Sequence, residues 1–434
     1  VNRNSRRRLL ALSAAGLVAL TAGCAGGSGS SGSGKQTVVF WEFDNSKATL
    51  NAYHQAISAF EKKNPDITVD MQVVPWSEQQ QKITAALTTG ALPDVSMLGN
   101  DVVAQYAHQG SLQPLDSYIK KWSAQEGQDV TSDYWPGDKL YYHLNGHWYG
   151  APVADETRMV YYRTDLFKKA GLDPSKPPTT WAQLQADAVK LKKVTKTPLV
   201  LPMSKDYDTV QIFMSVYLGY GARLLDNGKC AADTPAFKQA LSYYTGLAKK
   251  GLTPADAAMY DGDKVSSVFV SGQGAMEIAG PSDWQTLQEN AALKGKVGIA
   301  PIPAGPSGQY GFLGGWPLVM WKTSKHKDAA AKWIEFATSP KGGLNTIAKV
   351  SGILPGRKSL TDQAPWNTAP MSSFASQLTK AQPYQYPDPE IPQMGQIETS
   401  TVQAAVQRVA TGQQSVDKST SQMCSEINKI VAGK

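Results

Sequence analysis

The chain has 434 residues, 41% of them hydrophobic, and a net charge of +7. Four of those charges come from Arg3, Arg6, Arg7 and Arg8, and the +3 that remains is too weak a bias to mark a nucleic-acid or membrane-surface protein. The length suggests two or three domains, and Gly and Pro usage does not indicate disorder.

The basic stretch Arg3 to Arg8 precedes a short apolar run, Leu9 to Leu20, and then Thr21-Ala22-Gly23-Cys24. That run is too short to span a bilayer. Residues 1–23 read as an export signal resembling that of a lipoprotein, cleaved before Cys24 with lipid on its thiol. Ser5-Arg6-Arg7-Arg8-Leu9-Leu10 also resembles a twin-arginine signal. Residues 24–35, almost pure Gly and Ser up to Gly34, form a flexible tether. The expectation is an extracytoplasmic protein, lipid-anchored to the outer face of the cell membrane.

Thr37 to Trp41 predicts a buried strand. Leu50, Tyr53, Ile57 and Phe60 fall at helical spacing before Asn64-Pro65. Ile67, Val69, Met71 and Val73 alternate as a strand; Glu78 to Thr88 suits a helix ending at Gly90. Pro93 to Leu98 is a third strand, and Val102 to Gln109 a helix stopped by Gly110. This order argues for an open α/β sheet, whose ligands bind beyond the C-terminal strand ends. Those ends are Glu42 to Asn45, Pro75-Trp76 and Gly99 to Asp101.

Asn145-Gly146 marks a tight turn. Trp148 to Val153 extends, with Pro152 confining it to an edge or a strand end, and Met159 to Tyr162 extends again. The polar run Asp155-Glu156-Thr157-Arg158 between them would be costly inside a buried strand unless it lines a wet cleft, so it reads as a crossing between lobes. Thr180 to Gln183 is a capping box. Leu199 to Leu201 reads as a strand, and Thr234-Pro235 opens a helix ending at Gly251. Lys296 to Pro301 and Leu318 to Met320 are further strands, Ala329 to Thr338 an amphipathic helix, and Ser400 to Ala410 and Ser415 to Val431 two terminal helices. Cys230 and Cys424 are either a disulfide or two separate buried thiols, which spacing alone does not decide.

Asn145-Gly146, Tyr149-Gly150-Ala151-Pro152-Val153 and Tyr161 to Phe167 resemble the first interlobe crossing of extracellular solute-binding proteins of the maltose-binding type, the receptors of sugar ABC importers. Pro93-Asp94-Val95, Gly272 to Met276 with Gly280-Pro281 and Trp284, Val297 to Pro303 with Gly314-Gly315-Trp316, and Ile391 to Met394 extend that resemblance, in order, over about 400 residues. It implies an α/β periplasmic-binding-protein-like (type II) fold, two-lobed, each lobe a mixed sheet flanked by helices and the discontinuous lobes joined by hinge crossings. Lobe 1 is expected at 36–154 and 298–337, lobe 2 at 157–296 and 339–434. The implied partners are a sugar ligand and the permease subunits of an ABC transporter. A monomer is expected, without cofactor.

Sugars are held by aromatic faces against their C–H patches and by carboxylates and amides against their hydroxyls. Strand ends and crossings place such groups at Asp44, Asn45, Trp76, Asn100, Asp101, Asp155, Glu156, Asp283, Trp284 and Trp316. The resemblance favours Asp44, Asp101 and Glu156 for hydroxyls and Trp316 for stacking, and sets Tyr207 near another aromatic contact. Leu98, Ser282 and Glu398 replace aromatics of maltose-binding protein, and Val102 its arginine, which implies a different grip. Trp41 reads as core rather than platform. Asp155 and Glu156, adjacent on an extended segment, point opposite ways and do not form a glycosidase pair. His143 and His147 flank a turn, so no shared metal site is expected. A receptor of this fold for a polyamine, glycerol phosphate or iron complex, or an extracellular glycoside hydrolase, are the alternatives.

Overall fold

The structure, a computed structural model, describes residues 35–433. The export signal and Cys24 lie outside the described residues, as does the tether up to its last residue. β1 (Gln36–Glu42), α1 (Lys47–Lys63), β2 (Ile67–Val73), α2 (Gln79–Thr89), β3 (Val95–Met97) and α3 (Asn100–His108) follow the expected order. α1 starts where Ser46 caps the backbone N–H of Thr49 and buries Tyr53, Ile57 and Phe60. α2 ends at Gly90, whose φ of 73° needs no Cβ relief. α4 (Asp116–Glu126) leads to a hairpin turning on Asn145 and Gly146, both at positive φ.

β4 (Ala151–Glu156) and β5 (Met159–Arg163) flank the polar run and belong to different sheets. Next come α5 (Trp181–Leu191), α6 (Tyr207–Gly219), α7 (Pro235–Lys249), α8 (Gly262–Val270), β6 (Met276–Ala279), α9 (Pro281–Glu289) and β7 (Val297–Ala300). Thr180 and Thr234 cap α5 and α7. β8 (Gly314–Met320), α10 (Lys327–Thr338), α11 (Leu344–Ser351), β9 (Leu354–Pro355) and α12 (Val416–Val431) follow.

One sheet has the strand order β9-β4-β8-β3-β1-β2. β1 pairs in parallel with β2 and β3, while β8 is antiparallel to both β3 and β4. The second sheet is antiparallel, in the order β6-β5-β7. Phe40, Phe60, Trp321 and Trp333 pack beside the first sheet and Phe213, Tyr217, Phe237 and Tyr244 beside the second, and the first cluster runs on to Met159, Tyr161 and Ala279 of the second sheet. Trp41 is 4% exposed and packs in the first core. Cys230 and Cys424 are joined by a disulfide that ties the chain before α7 to α12.

Two sequence expectations need correction. Leu199 to Leu201 is not a strand: Val200 makes a single bridge to Glu277, because Pro198 and Pro202 on either side donate no hydrogen bond. Pro152 takes the strand-end alternative: it is the second residue of β4, opposite Pro317, in a strand with neighbours on both sides. The lobe boundaries at 298 and 339 also move. β7 pairs with β5 in the second sheet, and the return to the first core falls between Phe312 and Leu313. Residues 339–381 then stay with the first sheet: Leu344, Leu354, Trp366 and Phe374 are in its core, and the chain passes over between Ala381 and Tyr384. Sheet membership depends on partners far away in sequence, which an apolar pattern does not name.

Candidate functional site

Beyond the C-terminal ends of β1 to β3 a cleft of about 340 Å³ opens against the second lobe. Its near wall carries Trp76, Gln79, Asn100, Asp101 and Trp316; its far wall carries Tyr207 and Gln211 from α6, with Glu156 and Phe312 at the crossings. Past Trp76, Gln79 and Asp101 it widens into an open groove of about 700 Å³ rich in glutamines, Gln80, Gln105, Gln109, Gln393 and Gln396. On the other side of Glu156 and the Arg158 guanidinium lies a separate chamber of about 210 Å³ in the second lobe, lined in part by Asp283. Single ligand sites span roughly 300–1,000 Å³.

The two tryptophans are held differently. Trp76, 38% exposed, opens the short helical turn after β2 and tilts against Phe43 at 5.9 Å between centroids. Trp316 sits on β8, where the register with β4 shifts between Trp316 and Pro317, and its other side rests on the first core. Asn100 is buried and donates through Nδ2 to the Leu313 carbonyl at 3.0 Å. Burial pushes the Asp101 carboxyl up to about 6. Glu390 and Glu398, both buried from the third crossing onward, are raised by desolvation and then by the charge of Asp101.

Arg158, which the sequence marked only as part of a polar run, organises the far wall. Its guanidinium donates to Glu156 Oε2 at 2.8 Å, to Asp208 Oδ1 at 3.0 Å and to Gln211 Oε1, and lies 5.5 Å over the Phe312 ring. Gln79, Asp208, Gln211 and Phe312 carried no local signal. They reach the cleft because helix starts and crossings converge there. Tyr207 meets Tyr384 edge to face at 6.2 Å.

Of the residues expected at a site, Trp76, Asn100, Asp101, Glu156, Tyr207 and Trp316 line the central cleft, and Asp283 the smaller chamber. Four do not. Asp44 accepts from the Ser46 N–H at 2.8 Å and the Thr49 hydroxyl at 2.7 Å, so it closes the first turn of α1. Asn45 faces a separate open groove with His54 and Glu289. Trp284, on α9, packs against the apolar cluster that also holds Phe269, Leu287 and Leu293, and does not line the cleft. Asp155 is fully buried beneath the cleft, because alternation on β4 sends Glu156 to the cleft and Asp155 to the core. The glycines before Trp316 serve this arrangement: a Cβ on Gly314 would crowd Glu156, and one on Gly315 would crowd Asp155.

Asp155 and Asp138 form a buried carboxyl pair. Burial, and then the charge of Asp138, drives Asp155 well above the usual carboxylate range, while burial pushes Asp138 from 3.8 up to about 7. The folded chain therefore keeps protons that the unfolded chain releases above about pH 4. This contribution to stability is complete below that pH and is lost as pH rises through about 7. Asp155→Asn keeps a donor toward Asp138 without titrating. Melting temperature measured across that range should fall less steeply in the variant than in the wild type; parallel curves would contradict the shared proton.

Among the described residues no helix is long and apolar enough to cross a membrane. A profile described as bacterial extracellular solute-binding protein matches residues 44–344. The chain is 30% identical over 333 residues to a binding protein of Brucella abortus (strain 2308), covering 76% of this chain and 78% of that one. Its fold is similar to an ABC transporter solute-binding protein of Thermotoga lettingae bound with α-D-tagatose, with a TM-score of 0.78, 27% identity and coverage of 91% and 100%. It is also similar to the sugar-binding protein MalE of Xanthomonas citri, with a TM-score of 0.79, 27% identity and coverage of 92% and 98%. The chain belongs to the bacterial extracellular solute-binding proteins, a family of binding proteins that work outside the cytoplasm.

Proposed function

We propose that this chain is the substrate-binding component of an ABC importer and captures a mono- or oligosaccharide in the interlobe cleft. The observation that carries this reading is the cleft itself: Trp76 and Trp316 offer aromatic faces beside Asp101 and Glu156, with both lobes supplying the walls. A pyranose needs that combination, apolar faces for its C–H patches and acceptors for its hydroxyls. The sugar-binding similarity of the Xanthomonas citri and Thermotoga lettingae proteins supports it.

The mechanism is hinge closure. A ligand touching both lobes stabilises the closed form by its differential affinity, and closure presents a surface to the membrane permease. The lobes are the units built on the two sheets, and the hinge is the three crossings at 156–159, 312–313 and 381–384. The protein acts as a monomer held by lipid on Cys24 through the Gly/Ser tether, and it binds its solute without chemical change.

A thermal-shift screen against a sugar panel tests the reading, because ligand raises melting temperature by mass action. Small-angle scattering with the stabilising sugar should show a smaller radius of gyration. Trp316→Ala should then weaken that sugar by roughly 1–3 kcal/mol, by analogy with stacking on nucleic-acid bases. The unliganded protein should lose much less than the ~3–5 kcal/mol of a truncated core tryptophan. A large loss of stability with affinity retained would make Trp316 a core residue and remove the platform.

A further inference from the structure

The small chamber past Glu156 has β6 for its floor. There Glu277 is fully buried, and neither carboxylate oxygen has a hydrogen-bond partner. Buried polar groups are ordinarily paired, so two orphan oxygens lining a cavity mark a place where something else supplies donors. Most other carboxylates around it are engaged. Glu156 and Asp208 hold Arg158, and Asp283 accepts from the Ser266 hydroxyl at 2.9 Å.

An anion does not fit this chamber. The starts of α6, α8 and α9 face it, but their first turns already carry Asp208, Asp263 and Asp283. Arg158 is the one cation among the described lining residues, and it is committed to Glu156 and Asp208. A metal ion does not fit either, since the described residues bring no three His, Cys, Asp or Glu into ligating reach. A neutral hydroxyl can pair with Glu277 but brings no charge to a chamber lined by several carboxyl groups. A primary ammonium offers three donors and the charge that a cavity walled by Glu277, Asp283 and Asp263 lacks.

We propose that this chamber takes the protonated primary amine of the captured solute, with Glu277 as its carboxylate partner. The proposal rests on the cleft as the capture site and names the chemistry of one end of what is captured: an amino sugar or a polyamine. Burial, and then the charge of Asp283, hold the Glu277 carboxyl well above its ordinary value, which favours its proton. Binding an ammonium then expels that proton, and affinity for the amine rises with pH as long as the amine itself stays charged.

The test is calorimetric titration of the full chain with four probes: glucosamine, glucose, the β-1,4-linked glucosamine disaccharide and cellobiose, with spermidine as a fifth arm. Each amino sugar should bind about tenfold tighter than its neutral counterpart, as for a hydrogen bond to a charged group. The ratio should grow as pH rises for as long as the amine stays charged, with proton release in buffers of different ionisation enthalpy. Glu277→Gln, which matches the neutral acid in shape, should collapse the ratio; if it does not fold, Asp283→Asn should reduce it. Equal affinities, or a preference that survives Glu277→Gln, overturn the proposal while leaving saccharide capture intact. Spermidine binding with no saccharide bound keeps the amine and removes the sugar. No binding by any probe overturns the amine proposal and leaves saccharide capture to the sugar panel.

Discussion

Arg158→Ala is expected to cost about 3 kcal/mol, the low end of the loss seen when one partner of a buried ion pair is removed. The low end applies because Asp208 is 36% exposed and solvent screens part of its charge, whereas Glu156 is only 15% exposed. Without the guanidinium, Glu156, Asp208 and Gln211 lose their common donor, and the far wall of the cleft loses the group that fixes its shape. The loss should divide between unliganded stability, read from urea unfolding, and affinity for whichever solute the thermal-shift screen identifies. Adding Glu156→Gln and Asp208→Asn should recover a substantial part of the stability, because the uncompensated charges then disappear. A single-mutant cost below about 1 kcal/mol would mean that water replaces the guanidinium without penalty.

Arg357→Ala should destabilise more, by about 3–5 kcal/mol, and leave ligand affinity alone. Arg357 is 2% exposed, and its guanidinium donates to Glu126 Oε2 at 2.6 Å and to Asp133 Oδ2 at 2.9 Å. Both carboxylates are nearly as buried, and the planar cation lies 5.8 Å over the Tyr134 ring. Asp133 also accepts from the Ser359 N–H at 2.8 Å, so removing the arginine strands an acid that still anchors the backbone after β9. Arg357→Lys should rescue little, because a single ammonium does not span two carboxylates in the arginine's fork geometry. Equilibrium unfolding reads the effect; an affinity change as large as the stability change would show that the site and this ion cluster are coupled.

Local features were legible wherever their cause was local. The helical spacing of Tyr53, Ile57 and Phe60, the caps at Thr180 and Thr234, and the Asn145-Gly146 turn each depend on neighbours a few residues away. The site was legible by halves. Alternation correctly sets Asp155 and Glu156 on opposite faces, but which face meets the cleft depends on β8 and β9 pairing beside β4. The paired glycines before Trp316 leave room for the side chains of Asp155 and Glu156, a use that only the paired strand reveals. Glu277 lies in an apolar strand, Met276-Glu277-Ile278-Ala279, and nothing around it in sequence marks it as an orphan. Its isolation comes from three helix starts meeting over one strand.

The insertion of β8 between β3 and β4 carries a consequence for how the protein is made. A chain emerging from its N-terminus displays β1, β2 and β3 long before Gly314 to Met320 exist to pair with β3 or with β4. Until then the nascent half has an open strand edge and an unfilled core, since Leu318 to Trp321 are part of that core. This sheet is therefore completed only after β8 has been made. The same delay makes a stalled intermediate sticky, because an unpaired edge is a template for the next chain.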